Sequence, residues 1–191
     1  MIPADLLLEA YCQGIFPMSM DDGEIGWFSP DPRAIIPLEG FHVPHGLKRT
    51  LKKSAFEIRI DTAFARVMRE CAERDETWIS EEIIGSYCEL HRRGYAHSVE
   101  AWKDGELAGG LYGVSIGAVF FGESMFHHAT DASKVALWGL VERMRKNGFK
   151  MLEVQWLTPH LKTFGAIEIP RADYLKRLEQ SLKETCEFPG K

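Results

Sequence analysis

The fold is decided by residues 97–126, HSVEAWKDGELAGGLYGVSIGAVFFGESMF. Apolar and polar residues alternate through much of this stretch, and turn residues interrupt it at 103–105 and at 116–117. Alternating runs that are separated by Asp and Gly are typical of β-strands joined by tight turns. The stretch therefore predicts three antiparallel strands, at 97–102, 106–115 and 118–126.

The spacing of apolar residues predicts further helices and strands on both sides of this meander. Ser80 and Asp131 precede two of the helical patterns and are expected to cap them. The remaining predicted elements are a strand at 56–60, helices at 64–71 and 80–94, a helix from 131 to 148, a strand at 152–156, a short helix near His160, a strand at 167–169 and a helix from Arg171.

Residues 1–54 differ in character from the rest of the chain. A short helix is predicted at 4–12, and the Pro- and Gly-rich stretch from 17 to 44 leaves room only for short strands around Trp27 and Ile35. A chain of 191 residues suits one main domain with a small addition. We therefore expect a loop-rich N-terminal lobe at 1–54 and a catalytic domain at 55–191.

The net charge of −5 argues against a strongly basic protein that coats nucleic acid through bulk electrostatic attraction. One local basic run, Lys48, Arg49, Lys52 and Lys53, would lie along one side of a helix and could bind RNA. The alternative is a solvated helix face, which is what runs of charge usually are.

We expect a cytoplasmic protein without disulfides, metal or membrane contact. No stretch reaches the roughly 18 to 20 apolar residues of a membrane span, and the first residues lack the pattern of a leader. The cysteines Cys12, Cys71, Cys88 and Cys186 show no metal-binding spacing.

The order of the predicted elements matches the N-acetyltransferase superfamily, so the expected class is α+β, with a splayed mixed sheet flanked by helices. Such enzymes bind coenzyme A pyrophosphate at a glycine-rich turn before a helix. The corresponding residues 127–134, HHATDASK, contain no glycine, and Asp131 would repel the pyrophosphate. Coenzyme A is therefore disfavoured as the acyl donor.

A more specific resemblance runs nearly end to end. The segments that carry it are YCQGIFP at 11–17, WFSPDPR at 27–33, TWI at 77–79, AHSVE at 96–100, GLYG at 110–113, GESMF at 122–126, ASK at 132–134 and IPR at 169–171. In this order and spacing, the chain resembles the bacterial leucyl/phenylalanyl-tRNA-protein transferases.

The resemblance implies transfer of Leu, Phe or Met from a charged tRNA to the N-terminal amine of proteins that begin with Arg or Lys, which marks them for degradation by the N-degron route. Aminolysis of an ester needs no metal or redox cofactor. By resemblance, Glu153 and Gln155 hold the acceptor amine and Glu123 aligns the ester. The family has Asp where this chain has Glu153, so the carboxylate lies one methylene further out.

The resemblance also assigns binding residues for the donor. Trp78 matches a tryptophan that stacks on the terminal adenine, whereas a second stacking tryptophan of the family is Met18 here. The residues that match the family's pocket for the amino-acid side chain are Leu111, Phe120, Met125, Leu137, Leu140, Met144 and Leu152. The alternative for each is ordinary core packing.

Two other classes of protein remain open at the level of sequence. An N-acetyltransferase would share the fold but needs the pyrophosphate turn. A non-catalytic module that binds tRNA or N-degrons would need Trp78 and the basic helix, and would tolerate the loss of Glu123, Glu153 and Gln155.

Overall fold

The computed structural model describes residues 1–74 and 77–188. Its helices are α1 (Ala4–Cys12), α2 (His45–Lys52), α3 (Phe64–Ala72), α4 (Glu81–Arg92), α5 (Ala132–Lys146), α6 (Pro159–Lys162) and α7 (Arg171–Leu182). Its strands are β1 (Phe16–Ser19), β2 (Ile25–Phe28), β3 (Arg33–Ile36), β4 (Glu57–Ile60), β5 (Ala96–Lys103), β6 (Glu106–Ile116), β7 (Val119–His127), β8 (Met151–Glu153) and β9 (Ile167–Ile169).

A mixed sheet of seven strands forms the centre of the molecule, in the order β4-β5-β6-β7-β8-β3-β9. The strands β5, β6 and β7 pair in antiparallel fashion, which confirms the predicted meander. β7 and β8 pair in parallel, and β1 and β2 form a separate two-stranded ribbon. The prediction of an α+β protein with helices packed on a mixed sheet is confirmed.

Helices cover both faces of the sheet and bury two apolar clusters. The first cluster packs apolar side chains of α1, α3, α4 and α7 against one face, and the second packs α2 and α5 against the other. Each fully buried large apolar side chain stabilises the fold by roughly 1.5 to 3 kcal/mol. The two clusters therefore hold the strands firmly, except where strands separate.

The parallel pair is short, and this opens a gap in the sheet. β7 and β8 are paired only from Val119 opposite Met151 to Phe121 opposite Glu153. β7 then continues to His127, whereas β8 ends at Glu153. Beyond Phe121, β7 therefore keeps a strand partner only on its β6 side.

A β-bulge interrupts β7 at the start of this gap. Tyr112 lies opposite Ser124 and Gly113 lies opposite Gly122, so Glu123 is an extra residue without a partner on β6. A Cβ atom on Gly113 would lie 2.2 Å from the Phe121 carbonyl oxygen, so only glycine allows the strands to approach this closely. Bulges redirect side chains, and this one redirects the side chain of Glu123.

Two local predictions are wrong. The strand predicted at 152–156 ends at Glu153, because Gln155 has a left-handed φ of 63°. Asp131 has a φ of 69° and does not cap α5 through its side chain. Its carboxylate instead accepts hydrogen bonds from Thr50 (2.8 Å) and Lys134 (2.7 Å).

Ser80 caps α4 as predicted, because its hydroxyl accepts a hydrogen bond from the Ile83 N–H at 3.3 Å. The boundary at residue 54 stays a prediction. β3 belongs to the predicted lobe by sequence, yet it pairs with β8 and β9 in the large sheet. Within residues 1–74 and 77–188, no helix has the length and apolar character that a membrane crossing requires.

Candidate active site

A cavity of about 280 Å³ lies where β7 and β8 separate, and we call it the inner cavity. One side of it is apolar. Five of the seven residues predicted to bind the donor side chain line it, namely Leu111, Met125, Leu137, Leu140 and Leu152. Phe120 and Met144 do not line it; both are fully buried in the core cluster behind it.

The polar side of the inner cavity is formed by Glu123 and Gln155. The Gln155 side-chain amide donates to Glu123 Oε2 at 3.1 Å, and the Tyr11 hydroxyl donates to Glu123 Oε1 at 2.6 Å. The hydroxyls of Tyr11 and Tyr87 share a further short hydrogen bond. Helices α1 and α4 thus hold the carboxylate of Glu123 in place through the hydroxyls of Tyr11 and Tyr87.

Burial raises the pKa of Glu123 from its usual value of 4.5 to about 8. This value is the net result of several effects: the nearby carboxylate of Glu153 acts in the same direction as burial, whereas the hydrogen bonds from Tyr11 and Gln155 lower the pKa. Burial is the largest of these effects, since a charged carboxylate loses its hydration in an apolar surrounding. Glu123 can therefore exchange a proton near neutral pH.

Glu153 lies next to the inner cavity but does not line it. Its fully buried carboxylate pairs with Arg33, with 2.7 Å between Arg33 Nε and Glu153 Oε1. The Arg33 guanidinium also donates to the Gly14 carbonyl at 2.9 Å and lies over the rings of Phe16 and Tyr174. Burial raises the pKa of Glu153, and Arg33 opposes this rise.

The backbone N–H of Gln155 donates a short hydrogen bond to Glu153 Oε1. A left-handed conformation costs a residue other than glycine roughly 1 to 3 kcal/mol, and it persists only where surrounding contacts hold it. The carboxylate of Glu153 supplies such a contact. It thereby fixes the position from which the Gln155 side chain reaches Glu123.

The rim of the inner cavity carries Trp156, Arg74 and His160. Trp156 is 41% exposed, and its ring packs edge-on against Phe16 and Phe28, with ring centroids 5.2 and 6.4 Å apart. This packing holds the ring in place while part of it stays open to solvent.

Trp78 and Met18 are half-buried and pack against the first core cluster, and neither lines the inner cavity. The four basic residues of the predicted RNA-binding run, Lys48, Arg49, Lys52 and Lys53, are all exposed on or directly after α2.

A second cavity, of about 420 Å³, continues from the inner cavity along β7, and we call it the outer cavity. Both cavities share Arg74, Met125 and His160 as lining residues. The other residues that line the outer cavity are Glu70, Glu73, Phe126, His127, His128 and Ser133.

Three residues of this site, Tyr11, Arg33 and Trp156, were not predicted from the sequence. Tyr11 and Arg33 lie in segments that carry the family resemblance, but no local pattern indicates their burial against carboxylates. Trp156 was part of a predicted strand. No group of three His, Cys, Asp or Glu residues is placed to hold a metal ion in the described part of the chain.

The family models and the curated relatives that match this chain all belong to one family. A family model described as leucyl/phenylalanyl-tRNA protein transferase matches residues 35–179, and a model of the N-terminal domain of the same family matches residues 1–31. The leucyl/phenylalanyl-tRNA--protein transferase of Herpetosiphon aurantiacus is 59% identical over 96% of this chain and 96% of its own length. That of Paramagnetospirillum magneticum is 56% identical over 98% of this chain and 92% of its own length.

Among solved structures, L-PGS from Bacillus licheniformis matches 78% of this chain and 51% of its own chain, with a TM-score of 0.44 and 12% identity.

Proposed function

The chain belongs to the leucyl/phenylalanyl-tRNA protein transferase family, whose members transfer leucine or phenylalanine from tRNA to protein N-termini, and we propose that the inner cavity is where this transfer takes place. The observation that carries the proposal is the contact between Glu123 and Gln155 at the polar side of an otherwise apolar cavity. We propose further that the sheet is N-acetyltransferase-like, because its parallel pair separates at the cavity.

The reaction joins an amine to the carbonyl carbon of an aminoacyl ester. The nitrogen of the acceptor attacks this carbon, a C–N bond forms, and a tetrahedral oxyanion results. The bond from the carbon to the ribose oxygen then breaks, and the proton lost by the nitrogen ends on that oxygen. The protein must hold both substrates, stabilise the oxyanion and move this proton.

Glu123 is suited to move the proton. An N-terminal amine has a pKa of about 7.7 to 8.0 in a protein. The pKa of Glu123 is raised to about 8, so a proton passes between the two groups at little cost in free energy. A carboxylate with an ordinary pKa would be a much weaker base for this amine.

Gln155 holds the reacting groups through its side-chain amide, which offers both a donor and an acceptor. The predicted direct contact between Glu153 and the amine stays a prediction. The buried pairing of Glu153 with Arg33 supports a positioning role instead, in which Glu153 acts through the backbone of Gln155.

The apolar side of the inner cavity would receive the donor side chain. Leu137, Leu140 and Leu152 offer contour and apolar area, which are the means of discrimination that leucine and phenylalanine allow. Met125 also lines the cavity, and its flexible thioether suits a pocket that accepts leucine, phenylalanine and methionine.

The tRNA would lie across the exposed cations of α2 and end at the rim. Trp78 keeps the stacking role that the resemblance implies, and the basic run keeps the RNA-binding role that its local charge predicts. Trp156 is a further candidate for stacking on the terminal base, because it is exposed at the rim while the position of the second family tryptophan holds Met18.

The acceptor would begin with Arg or Lys, and the transfer would mark it for the N-degron route in the cytoplasm. Glu70 and Glu73 line the outer cavity together with Arg74. Glu70 is already paired with Arg66 at 3.4 Å and with His128 at 2.7 Å. The carboxylate that supports a cationic acceptor is therefore that of Glu73. No coenzyme, metal or membrane enters the proposed reaction.

The test is transfer of radiolabelled leucine from leucyl-tRNA to peptides that begin with Arg, Lys, Asp or Glu. We expect label on the Arg and Lys peptides. Glu123→Gln is expected to lower kcat roughly 10²- to 10⁴-fold, the range for loss of a general base, and Gln155→Ala is expected to lower it as well. Glu106→Gln is the matched control, because this glutamate is exposed at the start of β6.

Each other outcome overturns a specific part of the proposal. Label on the Asp and Glu peptides alone would keep the reaction class and overturn the acceptor. Full activity in Glu123→Gln would overturn the role of Glu123. No transfer from any charged tRNA would leave the binding module as the better reading, and acetyl transfer from acetyl-coenzyme A would favour the N-acetyltransferase.

A further inference from the structure

The edge of β7 that borders the gap in the sheet presents backbone hydrogen-bonding groups with which no strand of residues 1–74 and 77–188 pairs. The N–H of His128 donates to the Ala108 carbonyl at 2.8 Å, and His127 lies opposite Gly109. Hydrogen-bonded and non-hydrogen-bonded pairs alternate along an antiparallel ladder. Met125 and His127 therefore turn their backbone N–H and C=O groups away from β6, toward the gap.

An independent contact agrees with this orientation. Arg74, which lies beyond the end of α3, donates a hydrogen bond to the Met125 carbonyl and another to the Ser124 hydroxyl at 3.0 Å. A side chain from outside the sheet can reach the Met125 carbonyl because that carbonyl faces away from β6. Arg74 occupies one lone pair of this oxygen, and a carbonyl oxygen can accept a second donor. Beyond Phe121, no strand of residues 1–74 and 77–188 pairs with this edge.

The free edge connects the two cavities. The inner cavity is lined by β7 from Gly122 to Met125, and the outer cavity is lined by β7 from Met125 to His127. A ligand that starts at Glu123 and runs outward would follow this edge for roughly 3.4 Å per residue.

We propose that the acceptor polypeptide adds to this edge as an extended strand, so that its first residues form backbone hydrogen bonds with Met125 and His127. An extended peptide binds the free edge of a sheet through main-chain groups and needs no particular side-chain sequence for it. The inference rests on the proposed function, since it places the amine of the acceptor at Glu123 and Gln155.

The acceptor polypeptide fits this edge of β7, whereas the aminoacyl donor does not. The donor amino acid has one amine and one carbonyl, and its carbonyl is joined to a ribose, so it cannot continue over several residues of β7. A polypeptide repeats its N–H and C=O groups at the spacing of the strand. The exposed carboxylate of Glu73 along the outer cavity adds a preference for cationic chains.

Backbone pairing of this kind explains how one enzyme would accept many proteins that differ after their first residue. The first residue would be chosen by its side chain, and the following residues would be held through main-chain atoms alone.

The test uses modified acceptor peptides with the unmodified enzyme, so no variant has to fold. In a hexapeptide that begins Arg-Ala-Ala-Ala, the backbone nitrogen of residue 2, 3 or 4 is methylated in turn, and kcat/KM for leucine transfer is measured. Only alternate amides of a paired strand face its neighbour. We therefore expect a loss of roughly tenfold or more for one of two consecutive amides and less than about threefold for the other.

A second series replaces the same amide nitrogens by ester oxygens, which removes each donor without adding bulk. The same alternation is expected, with smaller losses. Arginine amide serves as an acceptor that cannot pair along the edge, and it should be labelled with a higher KM than the hexapeptide.

Transfer to the hexapeptide with equal sensitivity at consecutive positions, or with none, would overturn the edge pairing while leaving the proposed function intact. No transfer to either the hexapeptide or arginine amide would overturn the proposed function and this inference with it.

Discussion

Replacing Arg33 by methionine tests the buried ion pair that supports the site. Arg33 and Glu153 are both fully buried, and 2.7 Å separates their charged atoms. Without Arg33, the carboxyl group of Glu153 must take up a proton or remain as an unpaired buried charge. Breaking a buried pair by removing one partner costs about 3 to 5 kcal/mol.

The cost depends on pH in a defined way. A glutamate in the unfolded chain has a pKa of about 4.3, so keeping Glu153 protonated costs about 3.7 kcal/mol at pH 7 and about 1 kcal/mol at pH 5. Because the pKa of Glu153 in the folded Arg33→Met variant lies above that of the unfolded chain, stability is retained at low pH and lost as pH rises. The pKa of Glu153 is already raised in the wild type, so part of this cost is present there as well. We expect the variant to be less stable than the wild type by up to about 4 kcal/mol at pH 7 and to be much less affected at pH 5.

Urea unfolding at both pH values measures this loss as a shift in the midpoint at constant slope. The double variant Arg33→Met with Glu153→Gln removes the charge and should recover about 2 to 3 kcal/mol at pH 7 relative to Arg33→Met. Lys183→Met is the matched control, because it removes an exposed ion pair of similar length, 2.8 Å, and should leave the midpoint unchanged. A loss in Arg33→Met that is the same at both pH values, or a double variant no more stable than the single one, would refute the reasoning.

Three further predictions concern the charge of Glu123, the rim and the tRNA surface. Burial raises the pKa of Glu123 to about 8, so the wild type should lose several kcal/mol of stability as pH rises from 5 to 9. The Glu123→Gln variant should lose less stability over the same range. Equal shifts of the urea midpoint in both proteins would contradict this prediction. Trp156→Ala should raise the KM for leucyl-tRNA roughly 5- to 150-fold, because base stacking is worth about 1 to 3 kcal/mol. Trp27 is equally exposed but lies away from the cavities, so Trp27→Ala should leave the KM unchanged, and equal effects of the two substitutions would exclude specific stacking at the rim. Replacing the four cations on and after α2 by glutamine should weaken tRNA binding and reduce its dependence on salt, and an unchanged salt dependence would show that the tRNA lies elsewhere.

The sequence was sufficient for the regular part of the fold. The meander β5-β6-β7 was predictable because its turns contain Asp and Gly and its strands alternate, both of which are local properties. The cap at Ser80 was predictable for the same reason. The position of β3 between β8 and β9 was not, because it depends on pairing between residues more than 110 positions apart in the chain, such as Ile35 and Glu153.

The candidate site was predictable in its residue types, through family resemblance, but not in its geometry. A pattern of alternation places residues 153 and 155 on one face of a strand, and the structure instead ends the strand at Glu153. Arginine is rarely buried without a partner. The burial of Arg33 therefore follows only once Glu153, Phe16 and Tyr174 are brought around it by the tertiary fold.

The same departures from regular structure that defeat sequence patterns create the site. A regular β7 would leave Glu123 without the bulge that redirects its side chain, and a longer β8 would pair with β7 and close the gap. Gln155 in an extended conformation would not place its backbone N–H at the Glu153 carboxylate, where it now donates a hydrogen bond. Buried groups hold two of these irregular positions. The hydroxyl of Tyr11 donates to Glu123 in the bulge, and the guanidinium of Arg33 donates to Glu153, which in turn holds the backbone of Gln155. Substitutions of Tyr11 or Arg33, which do not line the inner cavity, should therefore affect transfer through the placement of Glu123 and Gln155.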